Sequence, residues 1–131
     1  LQLMEYRKEK AYPLLITEAG KLQTEEFTLE KGVVRVLGAA LSSDYPDYLY
    51  YRGKIGLEIA GREVFMEGFE AKKLMFSTAT GLNDRLAKVD TEAGDGRIRL
   101  KFQDENHPRA DFTALASGYR VYLYLDLQYS E

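Results

Sequence analysis

Cysteine is absent from this 131-residue chain, which excludes a disulfide framework, a thiolate zinc site and a cysteine nucleophile. Histidine occurs once, at His107 in the loop-like stretch Asn106-His107-Pro108. One imidazole rules out the two- and three-histidine metal sites, and no Gly-x-Ser-x-Gly elbow presents a serine that His107 would activate. Phosphate-cradling patterns are missing too, since neither Gly-x-Gly-x-x-Gly nor Gly-Lys-Ser/Thr occurs. Tryptophan, the strongest sugar-stacking side chain, is absent. No apolar run approaches the roughly 20 residues of a membrane-spanning helix, and no signal-peptide pattern is present, so the chain reads as soluble. It begins at Leu1 rather than Met, the start expected of a processed or trimmed product, and the sequence assigns no compartment. Basic excess is lacking as well: 18 Lys and Arg against 21 Asp and Glu leave a net charge of −3, which argues against a general nucleic-acid binder. The sequence therefore predicts no metal, no cofactor and no catalytic residue.

What remains is an ordinary globular composition, 45% apolar and 30% charged, with no linker, repeat or low-complexity tract. A single domain over 1–131 follows, large enough to bury roughly two thirds of its unfolded surface. The clearest pattern lies near its end, where Tyr119, Val121, Leu123, Leu125, Leu127 and Tyr129 alternate with Arg120, Tyr122, Tyr124, Asp126 and Gln128. Side chains on a strand point alternately to opposite faces, so this is a half-buried strand with an outward row in which two of five residues are tyrosine and the rest polar.

Similar runs recur at short intervals. One hairpin is expected from 85–90 and 97–103, joined across Ala93-Gly94-Asp95-Gly96, and a second from 22–29 and 33–41, turning at Glu30-Lys31-Gly32. In the second, Val33-Val34-Arg35-Val36-Leu37 is apolar on both faces apart from Arg35, as in a central strand covered on both sides. A third unit starts at Leu49, turns at Ala60-Gly61 and returns through Phe65, with Gly53 and Gly56 marking a bulge or bend. Further strands are expected at 12–17 and 72–77, while 1–10 and 83–89 read as either strand or helix and 111–116 is short and Ala-rich. The fold class is all-β: an antiparallel β-sandwich, jelly-roll-like or partly closed as a barrel, with seven to nine strands and little helix. Ile55, Leu57, Ile98, Leu100, Phe102, Val121, Leu123 and Leu125 should share one core.

The tyrosines carry the main functional expectation. If Ile55 and Leu57 face inward, strict alternation sends Tyr48, Tyr50 and Arg52 outward, in the same class as Arg120, Tyr122 and Tyr124. Tyrosine offers a rigid apolar ring whose hydroxyl stays hydrogen-bonded, a composition typical of interface cores, so these six residues are the candidate interface. The alternatives are that the same chain covers the rings, or that Gly53 flips the register and turns Tyr48 and Tyr50 inward.

Three weaker constellations stand beside it. Arg97, Arg99 and Lys101 form a basic row of the kind that tracks a phosphate backbone, though a solvated strand face explains it more simply. Asp90, Glu92 and Asp95 gather in a turn but fail the calcium-loop pattern, because Gly94 falls at the third ligand position and Lys101 stands where the closing Glu belongs. Nothing selects any carboxylate pair for sugar hydrolysis.

The expected function is a non-enzymatic structural or assembly domain that meets copies of itself or a larger protein partner. Components of viral or phage particles and of surface appendages are fold-level analogies. The alternative is a ligand-binding module, most plausibly for carbohydrate, in which exposed coplanar rings stack on sugar faces.

Overall fold

A computed structural model describes residues 5–75, 86–111 and 118–130, and these form eight strands with one short helix and one 3-10 turn. In chain order they are β1 (Glu5–Ile16), β2 (Leu22–Thr28), β3 (Val33–Ser43), α1 (Pro46–Arg52), β4 (Gly53–Ile59), β5 (Arg62–Glu70), the 3-10 turn Ala71–Leu74, β6 (Ala87–Glu92), β7 (Arg97–Asp104) and β8 (Tyr119–Ser130). A front sheet runs in the order β1-β8-β3-β6 and a back sheet in the order β2-β7-β4-β5. All pairs are antiparallel, and they nest: β1 with β8, β2 with β7, β3 with β6 and β4 with β5. The chain is thus one long hairpin, folded at β4–β5 and rolled so that β3 also meets β8 and β4 also meets β7, which is the winding of a jelly roll.

Alternation places the core. On β8, Val121, Leu123, Leu125 and Leu127 are buried and face Ile55, Leu57 and Ile59 of β4 and Ile98, Leu100 and Phe102 of β7 within one apolar cluster. Leu14 and Ile16 of β1 and Val36, Ala39 and Leu41 of β3 complete the front layer. All eight residues expected to share the core do so.

Two of the three expected hairpins are not hairpins. β6 pairs with β3 and β7 with β2 and β4, so the turn at 93–96 crosses from the front sheet to the back. The turn at Glu30-Lys31-Gly32 likewise carries β2 of the back sheet into β3 of the front. A period of two says which face of a strand is buried but not which sheet the strand joins, and the same Gly-rich turns serve both connections. Only β4–β5 is a true hairpin. There Ala60 and Gly61, with φ of 53° and 78°, form the doubly left-handed two-residue turn that matches strand twist, and Ile59 pairs with Arg62 across it.

The irregularity expected at Gly56 lies in β5, opposite that glycine. Ile55 pairs with Phe69 and Leu57 with Phe65, so three residues of β5 face the one residue Gly56. A Cβ at Gly56 would stand 3.0 Å from Glu67 Cα, so the bare glycine lets the bulge fold down onto β4. The apolar run on β3 has a different cause from the one expected. Register shifts at Val34 and Leu37 make them bulge residues, and Val34 is 43% exposed rather than covered on both sides.

The expected strand over 72–77 is the 3-10 turn followed by a single bridge from Met75 to Leu41, with 76–77 outside the described residues. Residues 1–4, 83–85 and 112–116 also lie outside them, while the described parts of 1–10 and 83–89 run into strands β1 and β6. No described helix is long and apolar enough to cross a membrane.

Candidate functional site

The two ends of the sandwich are built differently. At one end the connections are short: 29–32, 60–61 and 93–96. At the other lie the turn 17–21, the segment 44–52 with α1, and the longer connections after β5 and β7. Loops on a rigid scaffold are where binding groups concentrate.

The segment 46–52 is a helix rather than the start of a strand, which removes Tyr48, Tyr50 and Arg52 from the expected strand row: Tyr50 is exposed as expected, Tyr48 is half-buried and Arg52 turns inward. Pro46 sits at the first helical positions, where its missing N–H costs nothing, and Asp47 in the first turn suits the helix dipole. Leu49 and Arg52, three residues apart, form the buried side. Over seven residues a period of two and a period near 3.6 share too many positions for alternation alone to separate them.

Arg52, expected outward, is 2% exposed and forms the centre of an interior clamp. Its Nε donates to Asp104 Oδ1 at 2.9 Å and its Nη2 to Oδ2 at 2.6 Å, a two-pronged pairing with a carboxylate that is itself fully buried. Nη1 donates to the Ala110 carbonyl at 2.7 Å and Nη2 also to Asn106 Oδ1 at 3.0 Å. Asp104 further accepts from the Tyr119 hydroxyl and, at 2.9 Å, from the Gly20 N–H. One ion pair thereby ties together α1, the end of β7, the start of β8, the turn after β1 and the loop at 105–110. Four hydrogen bonds fill the Asp104 oxygens, so this carboxylate is a strut rather than a base awaiting a substrate.

Burial by itself would raise the Asp104 pKa, but the donors Arg52, Tyr119 and Gly20 outweigh it and hold the carboxyl below its ordinary range. The same burial, with Asp104 alongside, pushes the Tyr119 hydroxyl far up. A folded-state pKa depressed in this way contributes stability that is full above the unfolded carboxylate value of about 3.9 and is lost as pH falls through the folded value. Urea midpoints measured from neutral pH downward should therefore fall for the native protein below about pH 4. Those of an Asp104→Asn variant, lower at neutral pH, should converge on them; parallel curves would show that Asp104 is not the group responsible.

Several rings stand on the clamp. Tyr48 leans on Tyr119 at 5.5 Å between centroids and donates its hydroxyl to the Asp111 carbonyl at 2.6 Å, so it is pinned to the body of the protein. Tyr50 is 47% exposed, edge-on to Tyr51 at 4.9 Å and beneath the Lys72 ammonium at 5.6 Å. Tyr51 stacks on His107 at 4.9 Å, with the Arg109 guanidinium 5.9 Å from the same ring. His107 is therefore half-buried against an aromatic face, a contact for which the sequence carries no signal because it joins α1 to a loop 56 positions away.

Arg120, Tyr122 and Tyr124 lie elsewhere, on the outer face of the front sheet. Register places Leu15, Pro13 and Ala11 of β1 on one side of them and Ser42 and Ala40 of β3 on the other. The Ser42 and Tyr124 hydroxyls hydrogen-bond at 3.1 Å. The six candidate interface residues thus fall into three places: three on this face, Tyr48 and Tyr50 at the loop end, and Arg52 inside.

The outer face of the back sheet has a different character. Arg99 faces Glu26 at 3.4 Å and Lys101 faces Glu67 at 3.4 Å, so acids on neighbouring strands interleave with the basic row. Two shallow depressions, of about 490 Å³ beside Arg97 and about 500 Å³ beside Asp126, are lined by charges of both signs rather than by the mostly apolar walls of a small-molecule site. The acids of the 90–96 turn are spread among separate partners: Asp90 on Arg35 at 2.6 Å, Glu92 on Arg62 at 3.7 Å and Asp95 on the Arg97 N–H at 3.1 Å. Among the described residues no group of three or more acids or histidines is placed to hold a metal ion.

The sheet edges are each blunted against an added strand. Pro13 removes a donor from β1, Gly68 (φ 92°) and the bulge break β5, and Asp90 (φ 49°) twists the six-residue β6. On β2 the charged Glu25 lies on the inward row.

No protein-family model matches this sequence, and no curated protein matches it.

Proposed function

We propose that this chain is a non-enzymatic structural or assembly domain that meets copies of itself or a larger protein through the outer face of its front sheet. The observation that carries the proposal is the contrast between the two outer faces. Glu26, Glu58, Glu67, Arg97, Arg99 and Lys101 spread charge across the back sheet. On the loop-end half of the front sheet, Ala11, Pro13, Leu15, Ser42, Tyr122 and Tyr124 follow one another with Arg120 as the only charge along these rows, and Leu15 is 44% exposed. Depletion of charge with enrichment in tyrosine is what separates the core of an interface from ordinary surface. The blunted edges favour contact through this face over strand addition.

A carbohydrate site at the loop end would draw on the exposed rings of Tyr45 and Tyr50. Tyr50 and Tyr51 meet at 79° and Tyr45 and Tyr48 at 64°, however, which gives no flat platform for a sugar ring. The assembly reading is therefore preferred.

Its test is the double variant Tyr122→Ser/Tyr124→Ser, with mass measured by light scattering and stability by thermal melting. Lower mass than the native protein, or loss of binding to its partner, with a melting temperature within a few degrees is the expected result. Unchanged association together with a large loss of stability would mean that the rings serve the fold alone.

A further inference from the structure

We infer that the partner for the front-sheet face is a second copy of this chain, packed face to face about a two-fold axis that lies across the strands between Tyr122 and Tyr124. The inference rests on the assembly reading and adds the partner's identity and geometry.

Along the outward row of β8 the order is Arg120, Tyr122, Tyr124, Asp126, and beside Asp126 on β1 lies Glu9. Arg120 and Glu9 are both exposed, and among the described residues neither side chain has an ion-pair partner. Asp44, which lies beside Arg120, turns its carboxylate to backbone, accepting the Arg120 N–H at 2.8 Å. Asp126 is held by Arg7, which leaves Glu9 as the acid of this group without an ion-pair partner, with Lys88 of β6 lining the same depression. An uncharged centre is thus bounded by an unpaired cation at one end and an unpaired anion at the other, about 20 Å apart over six residues of strand.

Such a row is self-complementary under one operation. Rotation by 180° about an in-plane axis perpendicular to the strands sets each strand over its own copy, running the opposite way. Tyr122 then meets Tyr124 of the second copy, Ala11 meets Pro13, and Arg120 lies over Asp126 with Glu9 on the adjoining strand, twice per dimer. An isologous contact requires this kind of palindrome. An axis along the strands would instead set Arg120 against Arg120.

With the axis at position 123, strand overlap is confined to 119–127 of β8, 8–16 of β1 and 39–43 of β3, a face of roughly 30 by 15 Å at most. That is about 450 Å² per copy, the size of a weak, transient contact, so the dimer should form only at high protein concentration.

The experiment uses the full chain and charge reversal, read by sedimentation or light scattering from about 1 μM to about 1 mM. Arg120→Glu and Glu9→Lys should each raise the dimer dissociation constant at least about tenfold, because each sets like charges on adjoining strands across the interface twice. Both changes on one chain should return the constant to within about threefold of the native value. An equimolar mixture of the two single variants should form a mixed dimer tighter than either makes alone. In that dimer the acid introduced at position 120 of one copy lies one strand over from the amine introduced at position 9 of the other. Both positions are exposed, and equal melting temperatures would show that folding is intact.

A native protein that stays monomeric throughout this range overturns the inference. So does an oligomer indifferent to both reversals. If that oligomer still falls apart on Tyr122→Ser/Tyr124→Ser, the assembly reading stands without the two-fold. A monomer that loses its fold on the tyrosine changes ends both.

Discussion

Arg52→Ala is expected to destabilise the protein by about 3–5 kcal/mol, the cost of removing one partner from a buried ion pair. The loss would not come from the missing attraction alone. Asp104 would keep only the Tyr119 hydroxyl and the Gly20 N–H, and the Ala110 carbonyl and Asn106 would each lose their donor. An Arg52→Met/Asp104→Leu protein removes both charges at once and should recover part of that loss, because matched apolar replacements relieve the desolvation cost. Recovery should be incomplete, since Tyr119 and Gly20 then lack their acceptor. Urea midpoints with an unchanged slope would measure both effects. A loss below about 1 kcal/mol for Arg52→Ala would mean that water reaches the site and the pair behaves like a surface one.

Leu123→Ala should cost about 2–5 kcal/mol, as large-to-small changes in packed interiors do. Leu123 is 1% exposed on β8, with β1 on one side and β3 on the other, facing the back sheet. Neither neighbouring strand is free to move in and fill the space, so the upper part of that range is expected. A change of less than about 1 kcal/mol in the urea-derived stability would show that the two sheets collapse together around the deletion.

Alternation made the interior of this fold legible, because it depends on a single strand and its own two faces. Val121, Leu123, Leu125 and Leu127 could be read that way, as could Ile98, Leu100 and Phe102 and the trio Ile55, Leu57 and Ile59, and each is buried as expected. Sheet membership was not legible: β2–β3 and β6–β7 carry ordinary turn residues and yet cross between layers. The candidate site divides along the same line. Arg120, Tyr122 and Tyr124 lie on one long regular strand and occupy the expected face. Tyr48, Tyr50 and Arg52 lie on a short helix begun by Pro46, too brief for its period to show, so Arg52 read as surface when it is the most deeply committed cation among the described residues. Pro46 followed by Asp47 was the available signal, since proline at the first helical position and an acid in the first turn mark a helix start. The clamp left no trace in the sequence, because Arg52, Asp104 and Tyr119 are separated by 52 and 15 positions and meet only through the rolled topology.

The nested pairing also sets an order of events for the chain as it forms. β8 follows every other described strand, yet it occupies the middle of the front sheet, between β1 and β3. Until β8 is available, those two strands have no neighbour to share, and the apolar residues of β1 and β3 have no layer to close. Among the described strands only β4 and β5 can pair through a local turn, so the remaining contacts must wait on loop closures that grow longer outward to β1 and β8. A chain that halts before β8 would leave β1 unpaired and β3, held only by β6, with an open edge, the kind of surface on which partly folded chains aggregate. The strand that carries the tyrosine face is therefore also the one that completes the fold, and the face exists only once folding is over.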